Sequence, residues 1–229
     1  MSNRFYSPDD QRAARVRDLF ASIACRYDLL NDLMSLGFHR RWKQRLVALA
    51  GSPHDALDLC CGTGDIAQHL HGRVVGVDFT EQMLRVAATR STPACWIQAD
   101  ALRLPFSANS FAVVTVGYGL RNLADLEAGL REIHRVLRPG GKLLSLDFGK
   151  PESPLWRQLY FAHLRFWLPI LSYVFIGAAD AYGYILASLQ AYPTQRGVKE
   201  LMKQCGFTEC GFEEFCAGAM AINFGKKLD

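Results

Sequence analysis

Short apolar runs alternate with segments of helical length through the middle of this chain. Four runs, at residues 56–60, 73–77, 111–116 and 142–147, have the length and composition of buried strands. Between them, segments such as 80–90 and 125–137 have the length and apolar period of amphipathic helices. This alternation is typical of parallel strands joined by crossover helices. We therefore predict an α/β fold: a doubly wound, mostly parallel sheet with helices on both faces.

The size of the chain favours one large domain. It has 229 residues, half of them apolar. Two helical regions flank the alternating part: residues 1–50 predict an N-terminal helical cap, and residues 151–192 predict a helical insertion that faces a substrate or a membrane. We predict a single domain over residues 1–229, in which these two regions determine substrate specificity.

Several classes of protein are disfavoured by composition. No uninterrupted apolar run approaches the roughly 18 residues that a transmembrane helix needs. The N-terminus lacks the apolar core of a secretory signal, so we expect a cytoplasmic protein. Seven cysteines, an odd number, predict reduced thiols rather than a disulfide framework. The spacing of Cys205, Cys210 and Cys216 does not suit a zinc site, and we expect no metal.

Positive charge is concentrated near the N-terminus. The net charge is +4, and residues 1–50 hold nine Arg and Lys against five Asp and Glu. Within segment 38–45, four basic residues flank Trp42, a composition that suits an anionic lipid surface. For this segment by itself, a solvated helix face is the preferred interpretation, and the lipid surface is the alternative. Nucleic-acid-binding proteins usually carry a larger basic surface, so we expect no nucleic acid partner.

A glycine-rich loop follows the first predicted strand. Gly62 and Gly64 belong to a Gly-x-Gly-x-x-Ala pattern at the junction with a predicted helix, where sheets of this class bind nucleotides. The pattern also fits a dinucleotide dehydrogenase, but carboxylates at Asp58 and Asp65 would repel a pyrophosphate. A cofactor that carries an ammonium and a sulfonium instead of phosphate, namely S-adenosyl-L-methionine, would be attracted by them.

Two further acids end the next two predicted strands. Asp78 is placed to accept hydrogen bonds from both ribose hydroxyls. Asp100 is placed to accept from an adenine amino group, while the Ala101 amide meets a ring nitrogen. Each acid by itself also suits a strand end or a helix cap. Three acids at three successive strand ends, beside a glycine loop, favour the cofactor.

Longer motifs extend this interpretation over nearly the whole chain. The most specific are Tyr-Asp-x-x-Asn-Asp at residues 27–32 and Gly-Leu-Arg-Asn at 119–122, with His39-Arg40, Trp42-Lys43 and Arg-Pro-Gly-Gly at 138–141. By these motifs the chain resembles the quinone-biosynthesis C-methyltransferases, which act on demethylmenaquinol or on the benzoquinol precursor of ubiquinone. The resemblance implies a Rossmann-like class I methyltransferase that uses S-adenosyl-L-methionine to methylate a prenylated quinol, with demethylmenaquinol to menaquinol as the first expectation.

The resemblance also implies cofactor positions, of which Gly117 stands where the bacterial members carry serine. A second departure is Asn223, which stands where an imidazole is usual. Together with the loop residues, the predicted cofactor-binding set is Asp58, Gly62, Thr63, Gly64, Asp78, Phe79, Asp100, Ala101 and Gly117.

Catalytic roles are predicted for four residues. Methylation of a ring carbon needs electron density, which a hydroquinone supplies when a neighbouring hydroxyl ionises, normally near pH 10. Arg121 keeps its proton, so we predict that it stabilises the phenolate while Asn122 orients the ring. Tyr27 and Asp28 are predicted to relay a proton or to close a lid, although Tyr27 as a packed aromatic stays open. Arg121→Ala should then reduce turnover strongly at near-normal cofactor affinity.

The aromatic segment 155–177 suggests partners. It could line a channel for a polyprenyl tail or rest on a bilayer surface, and a core-facing helix or a homodimer interface remains open. The resemblance implies a prenylated quinol as substrate, and with it we expect this segment to make loose contact with the inner face of the membrane. A methyltransferase for another phenolic small molecule and a degenerate cofactor-binding scaffold remain alternatives, because a fold does not determine function.

Overall fold

The computed structural model describes residues 12–90, 92–175 and 180–228. These residues contain one seven-stranded sheet. Its strands are β1 (Asp55–Leu59), β2 (Arg73–Asp78), β3 (Cys95–Gln98), β4 (Phe111–Gly117), β5 (Leu137–Phe148), β6 (Phe207–Phe215) and β7 (Met220–Lys227). The helices of the described residues are α1 (Arg12–Ile23), α2 (Tyr27–Ser35), α3 (Phe38–Ala50), α4 (Glu81–Ala88), α5 (Leu126–Val136), α6 (Pro154–Phe175), α7 (Asp180–Ala191) and α8 (Gln195–Gln204).

The strand order confirms the predicted sheet. From one edge to the other it is β3-β2-β1-β4-β5-β7-β6. Strands β1 to β5 pair in parallel, whereas β7 runs antiparallel to β5 and β6. The order reverses between β1 and β4, which makes the carboxyl ends of these two strands the position where sheets of this kind bind ligands.

Helices cover both faces, as predicted, because the strands alternate their side chains. Leu57 of β1 packs with Ile133 of α5 and Met202 of α8 on one face. The preceding residue, Ala56, packs on the opposite face with Leu46 of α3. This two-residue alternation is the geometry of a strand buried on both sides.

The prediction of a helix directly after the glycine loop is wrong. Only a short 3-10 helix, Ala67–His69, follows the loop before β2 begins at Arg73. Gly64 and Gly72 have φ angles of 77° and 80°, so the backbone turns at both ends of this connection. Too few residues remain between the two turns to build an α-helix.

The two flanking regions are helical where they are described. Residues 1–50 contribute α1, α2 and α3, and residues 151–192 contribute α6 and α7. Residues 1–11 and 176–179, which both regions include, lie outside the described residues. The assignment of residues 1–229 to a single domain stays a prediction. Within the described part of the chain, no helix combines the length and the apolar character needed to cross a membrane.

Candidate active site

A cavity opens at the carboxyl edge of the sheet, where β3, β2, β1 and β4 end side by side. We call it the edge cavity. Eight of the predicted site residues line it: Tyr27, Gly62, Asp78, Phe79, Asp100, Ala101, Gly117 and Asn122. The structure therefore brings together residues that are up to 95 positions apart in the sequence.

Asp78 ties the glycine loop to the end of β2. One of its carboxylate oxygens accepts the Gly62 amide at 2.9 Å, and the other accepts the Thr80 amide at 2.9 Å. Burial raises the pKa of Asp78, while these backbone hydrogen bonds act in the opposite direction. Each oxygen keeps a second lone pair, so the carboxylate can still accept a hydroxyl from a ligand.

The charges around the edge cavity are negative. Besides Asp78 it is lined by Asp100, an exposed residue whose carboxylate accepts the Leu102 amide at 2.9 Å. No lysine, arginine or histidine occurs among the described residues of its lining. A pyrophosphate would meet two carboxylates here without a compensating cation, whereas a positively charged ligand would be attracted.

Asp58 does not take part in this charge pattern, contrary to the prediction. It is fully buried within the sheet, where it accepts the Thr115 hydroxyl at 2.7 Å and the Ala67 amide at 3.1 Å. Burial raises its pKa to about 7. Asp58 therefore holds the segment after the glycine loop against β4, and it does not face the edge cavity.

Replacement of Asp58 by asparagine should stabilise the protein above neutral pH. Because the folded-state pKa of about 7 lies above the unfolded value of 3.8, the contribution of this group to stability is lost as pH rises through that interval. Asparagine cannot ionise and still accepts the Ala67 amide. Denaturant unfolding of both proteins from pH 5 to 8 should show the variant gaining up to about 1.4 kcal/mol per pH unit below pH 7, and a constant difference above it. A difference in free energy of unfolding between the two proteins that does not change with pH would contradict this.

Asp28 latches α2 to the glycine loop. Its carboxylate accepts the Thr63 hydroxyl at 2.8 Å and an Arg90 Nη2 proton at 2.5 Å, while Arg90 Nε donates to the Thr63 carbonyl at 2.5 Å. Of the two roles predicted for Asp28, this geometry fits closing the lid and not relaying a proton. Thr63 is buried and donates its hydroxyl to Asp28, and its predicted contact with the cofactor stays a prediction.

Gly64 also lies away from the edge cavity. A Cβ atom built on it would lie 2.5 Å from Cη2 of Trp96, so the absent side chain makes room for the Trp96 ring. Gly64 therefore has a packing role, and its predicted cofactor contact stays a prediction. Its φ angle of 77° also favours glycine.

Asp65, the second acid of the charge argument, is neutralised by a partner. Its carboxylate accepts a hydrogen bond from Lys43 Nζ of α3 at 2.5 Å and another from Gln68 Nε2 at 2.9 Å. Asp58 and Asp65 therefore do not distinguish the two cofactor classes, because neither presents a free charge. The distinction depends on Asp78 and Asp100.

Gly117 lines the edge cavity at the end of β4. A Cβ atom at this position would clash with Cδ1 of Ile66, which follows the glycine loop. In this chain the side chain of Ile66 therefore occupies the space into which a serine at position 117 would project. Glycine at 117 and isoleucine at 66 are mutually compatible.

Arg121 and Asp147 form a buried ion pair, and neither residue belongs to the lining of the edge cavity, although Asn122, the next residue after Arg121, does. Arg121 Nη1 donates to Asp147 Oδ1 at 2.5 Å and to the Tyr118 carbonyl at 2.8 Å. The guanidinium lies 4.9 Å from the ring centroid of Phe148. Within the described part of the chain, the buried Arg121 Nε has no hydrogen-bond acceptor. Burial raises the pKa of Asp147, although Arg121 opposes that shift.

Asn122 is fixed from two sides. Its Nδ2 donates to the Tyr118 carbonyl at 3.1 Å, and its Oδ1 accepts the Tyr184 hydroxyl at 2.9 Å. Tyr184 belongs to α7 and is almost fully buried. The predicted orienting role of Asn122 is compatible with a side chain held in one rotamer.

Tyr27 lines the edge cavity, and burial raises the pKa of its phenol. The hydroxyl therefore keeps its proton near neutral pH and can donate a hydrogen bond, but it is a poor proton acceptor. Of the roles considered for Tyr27, a proton relay that begins with an ionised phenol does not fit this environment.

A large apolar cavity of about 880 Å³ lies between the α2–α3 corner and α6. We call it the apolar cavity. Its wall includes Leu36, Trp42, Phe148, Leu164 and Tyr118. Tyr118 also lines the edge cavity, so one aromatic residue forms a wall of both spaces. Tyr118 is buried and has a φ angle of 60°, which non-glycine residues seldom adopt.

Sequence reasoning missed Tyr118, Asp147, Arg90 and the role of Lys43. Tyr118 directly follows β4 and precedes the Gly-Leu-Arg-Asn motif, so its position beside a functional turn was a usable signal. The pairings of Arg90 and Asp147 had no local signal, because their partners lie 62 and 26 residues away. Asn223 lies on β7, where it donates to the Gln195 carbonyl at 2.8 Å and is buried outside both cavities.

Solved structures share this fold. A possible histamine N-methyltransferase of Thermotoga maritima, described as dependent on S-adenosylmethionine, superposes with a TM-score of 0.68 at 19% identity and covers 92% of this chain and 98% of its own. A phosphoethanolamine N-methyltransferase of Haemonchus contortus, solved with S-adenosyl-L-methionine, has a TM-score of 0.61 at 16% identity, with coverages of 82% and 53%. These likenesses concern the fold alone.

Relatives in sequence are closer. A demethylmenaquinone methyltransferase of Desulfitobacterium hafniense is 38% identical over 230 residues, which cover 94% of this chain and 91% of the relative. A ubiquinone/menaquinone biosynthesis C-methyltransferase of Pseudomonas fluorescens is 37% identical over 234 residues, with coverages of 96% and 91%. The model of the ubiE/COQ5 methyltransferase family matches residues 8–227. Since this match and the two relatives span nearly the whole chain, the protein belongs to the ubiE/COQ5 methyltransferase family.

Proposed function

We propose that this enzyme transfers the methyl group of S-adenosyl-L-methionine to a ring carbon of a prenylated quinol, with demethylmenaquinol as the first candidate. The proposal is carried by one observation: the edge cavity and an apolar cavity of about 880 Å³ are both lined by Tyr118. The names of the two sequence relatives refer to demethylmenaquinone and to ubiquinone and menaquinone biosynthesis. An apolar space beside the methyl donor is what a lipid-tailed ring requires.

The edge cavity fits the cofactor chemically. Its carboxylates, Asp78 and Asp100, suit a ligand that has hydroxyls, an amino group and a net positive centre but no phosphate. When bound there, S-adenosyl-L-methionine supplies an electrophilic methyl group on a sulfonium. Phe79, Met83 and Leu102 provide apolar surface for the base.

Arg121 is the proposed oxyanion stabiliser. Its hydrogen bonds to described residues use only Nη1, which leaves other guanidinium protons for a substrate oxygen. Arg121 is buried, and a cation–phenolate interaction is stronger at a buried cation than in solvent. Asn122, held by Tyr184, orients the ring, and Tyr27 donates a hydrogen bond from the lid. Arg121 itself cannot take up the phenol proton.

Exposed apolar residues surround the mouth of the apolar cavity and suggest a lipid surface as its neighbour. Leu36 is 85% exposed and Leu159 54%, although both also line the cavity. Arg40 and Arg41, which follow Leu36 at the start of α3, are exposed, and Arg40 is paired with Asp32. Apolar residues flanked by arginines suit the headgroup region of an anionic bilayer, in which a prenyl tail resides.

Removal of two exposed residues outside the apolar cavity should separate membrane binding from catalysis. Phe166 and Leu155 of α6 are 64% and 67% exposed and do not line either cavity. We expect the double variant Phe166→Asp with Leu155→Asp to weaken co-sedimentation with anionic vesicles about tenfold or more. Each substitution removes apolar area that would otherwise be buried in the bilayer. Turnover of a short-tailed, water-soluble quinol should not change. Unaltered vesicle binding, or a change in oligomeric state instead, would contradict surface docking.

The substrate proposal is tested with labelled cofactor. Purified enzyme is incubated with methyl-labelled S-adenosyl-L-methionine and a panel of reduced naphthoquinols and benzoquinols of increasing prenyl length, and label is measured in the organic phase. We expect transfer to quinols, with higher kcat/KM for longer tails because the apolar cavity binds them. Transfer only to simple catechols or other phenols would favour a different phenolic substrate. No transfer to any acceptor, despite cofactor binding, would favour a degenerate scaffold.

A further inference from the structure

Lys43 is a buried cation whose hydrogen-bonding capacity is only partly used. It lies on α3 and is 6% exposed. Its ammonium has three protons, yet Asp65 is its one hydrogen-bond acceptor among the described residues, at 2.5 Å. The nitrogen also lies 5.8 Å from the ring centroid of Tyr118. Burial of an ammonium with unused donors is costly unless a further acceptor completes the site.

A small cleft next to the glycine loop contains this ammonium. We call it the loop cleft, and it is lined by Lys43, Cys61, Thr63, Asp65 and Ile66 in addition to residues of the edge cavity. Lys43 and Asp65 are the charged residues of its described lining. Gly62, Gly117 and Tyr118 belong to both linings, so the two spaces are neighbours. An anionic group that reached this cleft would find one incompletely paired cation.

The strand order determines which end of the cofactor reaches the loop cleft. Asp100 follows β3, Asp78 ends β2, the glycine loop follows β1, and Gly117 ends β4, in that spatial order. Adjacent strands are about 4.8 Å apart, so these four positions extend over about 14 Å, the scale of an extended nucleoside with an amino-acid side arm. With the adenine at Asp100 and the ribose at Asp78, the amino-acid end lies at the glycine loop. The reverse orientation would put a carboxylate beside Asp100.

We propose that Lys43 binds the α-carboxylate of S-adenosyl-L-methionine in the loop cleft. This inference rests on the proposed function for the identity of the cofactor. Because Lys43 belongs to α3, which follows the α2 lid directly in the chain, the contact joins the bound cofactor to the N-terminal helices. Lys43 is thus a specificity residue for the amino-acid end of the cofactor.

Calorimetric binding of ligands that differ only at that end tests the proposal. The ligands are S-adenosylhomocysteine, which carries the α-carboxylate, and 5′-methylthioadenosine, which lacks the amino-acid end. We expect Lys43→Met to weaken S-adenosylhomocysteine about 10- to 100-fold, the range of a charge-assisted hydrogen bond, and to change 5′-methylthioadenosine by less than about threefold. Equal losses for both ligands, or no loss for S-adenosylhomocysteine, would overturn the proposal.

A second variant controls for folding, since Lys43→Met leaves Asp65 buried without its cation. Lys43→Met with Asp65→Asn removes both charges, and Gln68 can still donate to the side chain at position 65. The same ligand discrimination is expected in the double variant, and uniform binding losses there would also overturn the proposal. Failure of the wild type to bind S-adenosylhomocysteine would refute the assignment of S-adenosyl-L-methionine as the cofactor. Binding of S-adenosylhomocysteine without methylation of any quinol would refute only the proposed substrate class.

Discussion

Replacement of Arg121 by methionine is expected to lower the free energy of unfolding by about 3–5 kcal/mol, as usual when one partner of a buried ion pair is lost. Asp147 would remain at 4% exposure without the cation that Arg121 provides. Burial already raises the pKa of Asp147, and removal of Arg121 removes the main opposing influence. A carboxyl with a raised folded-state pKa loses stability as pH rises, so the defect should be larger at pH 8 than at pH 5.

The double variant Arg121→Met with Asp147→Asn separates stability from catalysis. Asparagine carries no charge and can still accept the Phe148 amide, which Asp147 accepts at 2.8 Å. Denaturant unfolding should show most of the lost stability restored. Methyl transfer should stay at least about a hundredfold below wild type, because the oxyanion partner is still missing. S-adenosylhomocysteine affinity should stay near normal in the double variant.

Two outcomes would contradict these assignments. Recovery of turnover together with stability would mean that Arg121 acts only through the fold. A single variant as stable as wild type would mean that the buried pair makes no net contribution. The sequence predicts that Arg121→Ala reduces turnover at near-normal cofactor affinity. That test needs the second substitution, because loss of the fold would reduce turnover and cofactor affinity together.

Removal of the Asp78 carboxylate should have the largest effect on cofactor binding. Asp78→Ala deletes the proposed acceptor for two ribose hydroxyls, and it also deletes the observed acceptor for the Gly62 and Thr80 amides, each at 2.9 Å. Loss of two charge-assisted hydrogen bonds, at about 1.5–3 kcal/mol each, predicts an increase in the Kd of S-adenosylhomocysteine of roughly 10²- to 10⁴-fold. Calorimetric titration measures this directly.

Two control variants locate the effect. Asp78→Asn keeps the shape and one acceptor for the loop, so its loss of affinity should be intermediate. Asp100→Asn removes one exposed charge at the adenine end and should cost less than Asp78→Ala, because water screens that site. If Asp78→Ala bound S-adenosylhomocysteine within a few-fold of wild type, the assignment of the edge cavity to this cofactor would be wrong.

Features that depend on local sequence were predicted well. The four apolar runs became β1, β2, β4 and β5, and the acids expected at strand ends, Asp78 and Asp100, line the edge cavity. A strand end is recognisable from a few neighbouring residues, and parallel strands bring such ends to one edge. The antiparallel hairpin of β6 and β7 was not predicted, because neither strand, of nine and eight residues, shows a regular alternation of buried and exposed positions.

By itself the sequence determined the sheet class, the family and the group of residues that meets at the carboxyl edge, since these follow from periodicity and motifs within short stretches. The tertiary structure alone decided which acids keep a free charge. Asp58 binds Thr115, Asp28 binds Arg90 and Asp65 binds Lys43, partners 57, 62 and 22 residues away. The electrostatic role of a carboxylate depends on its burial and its nearest cation, and long-range packing sets both.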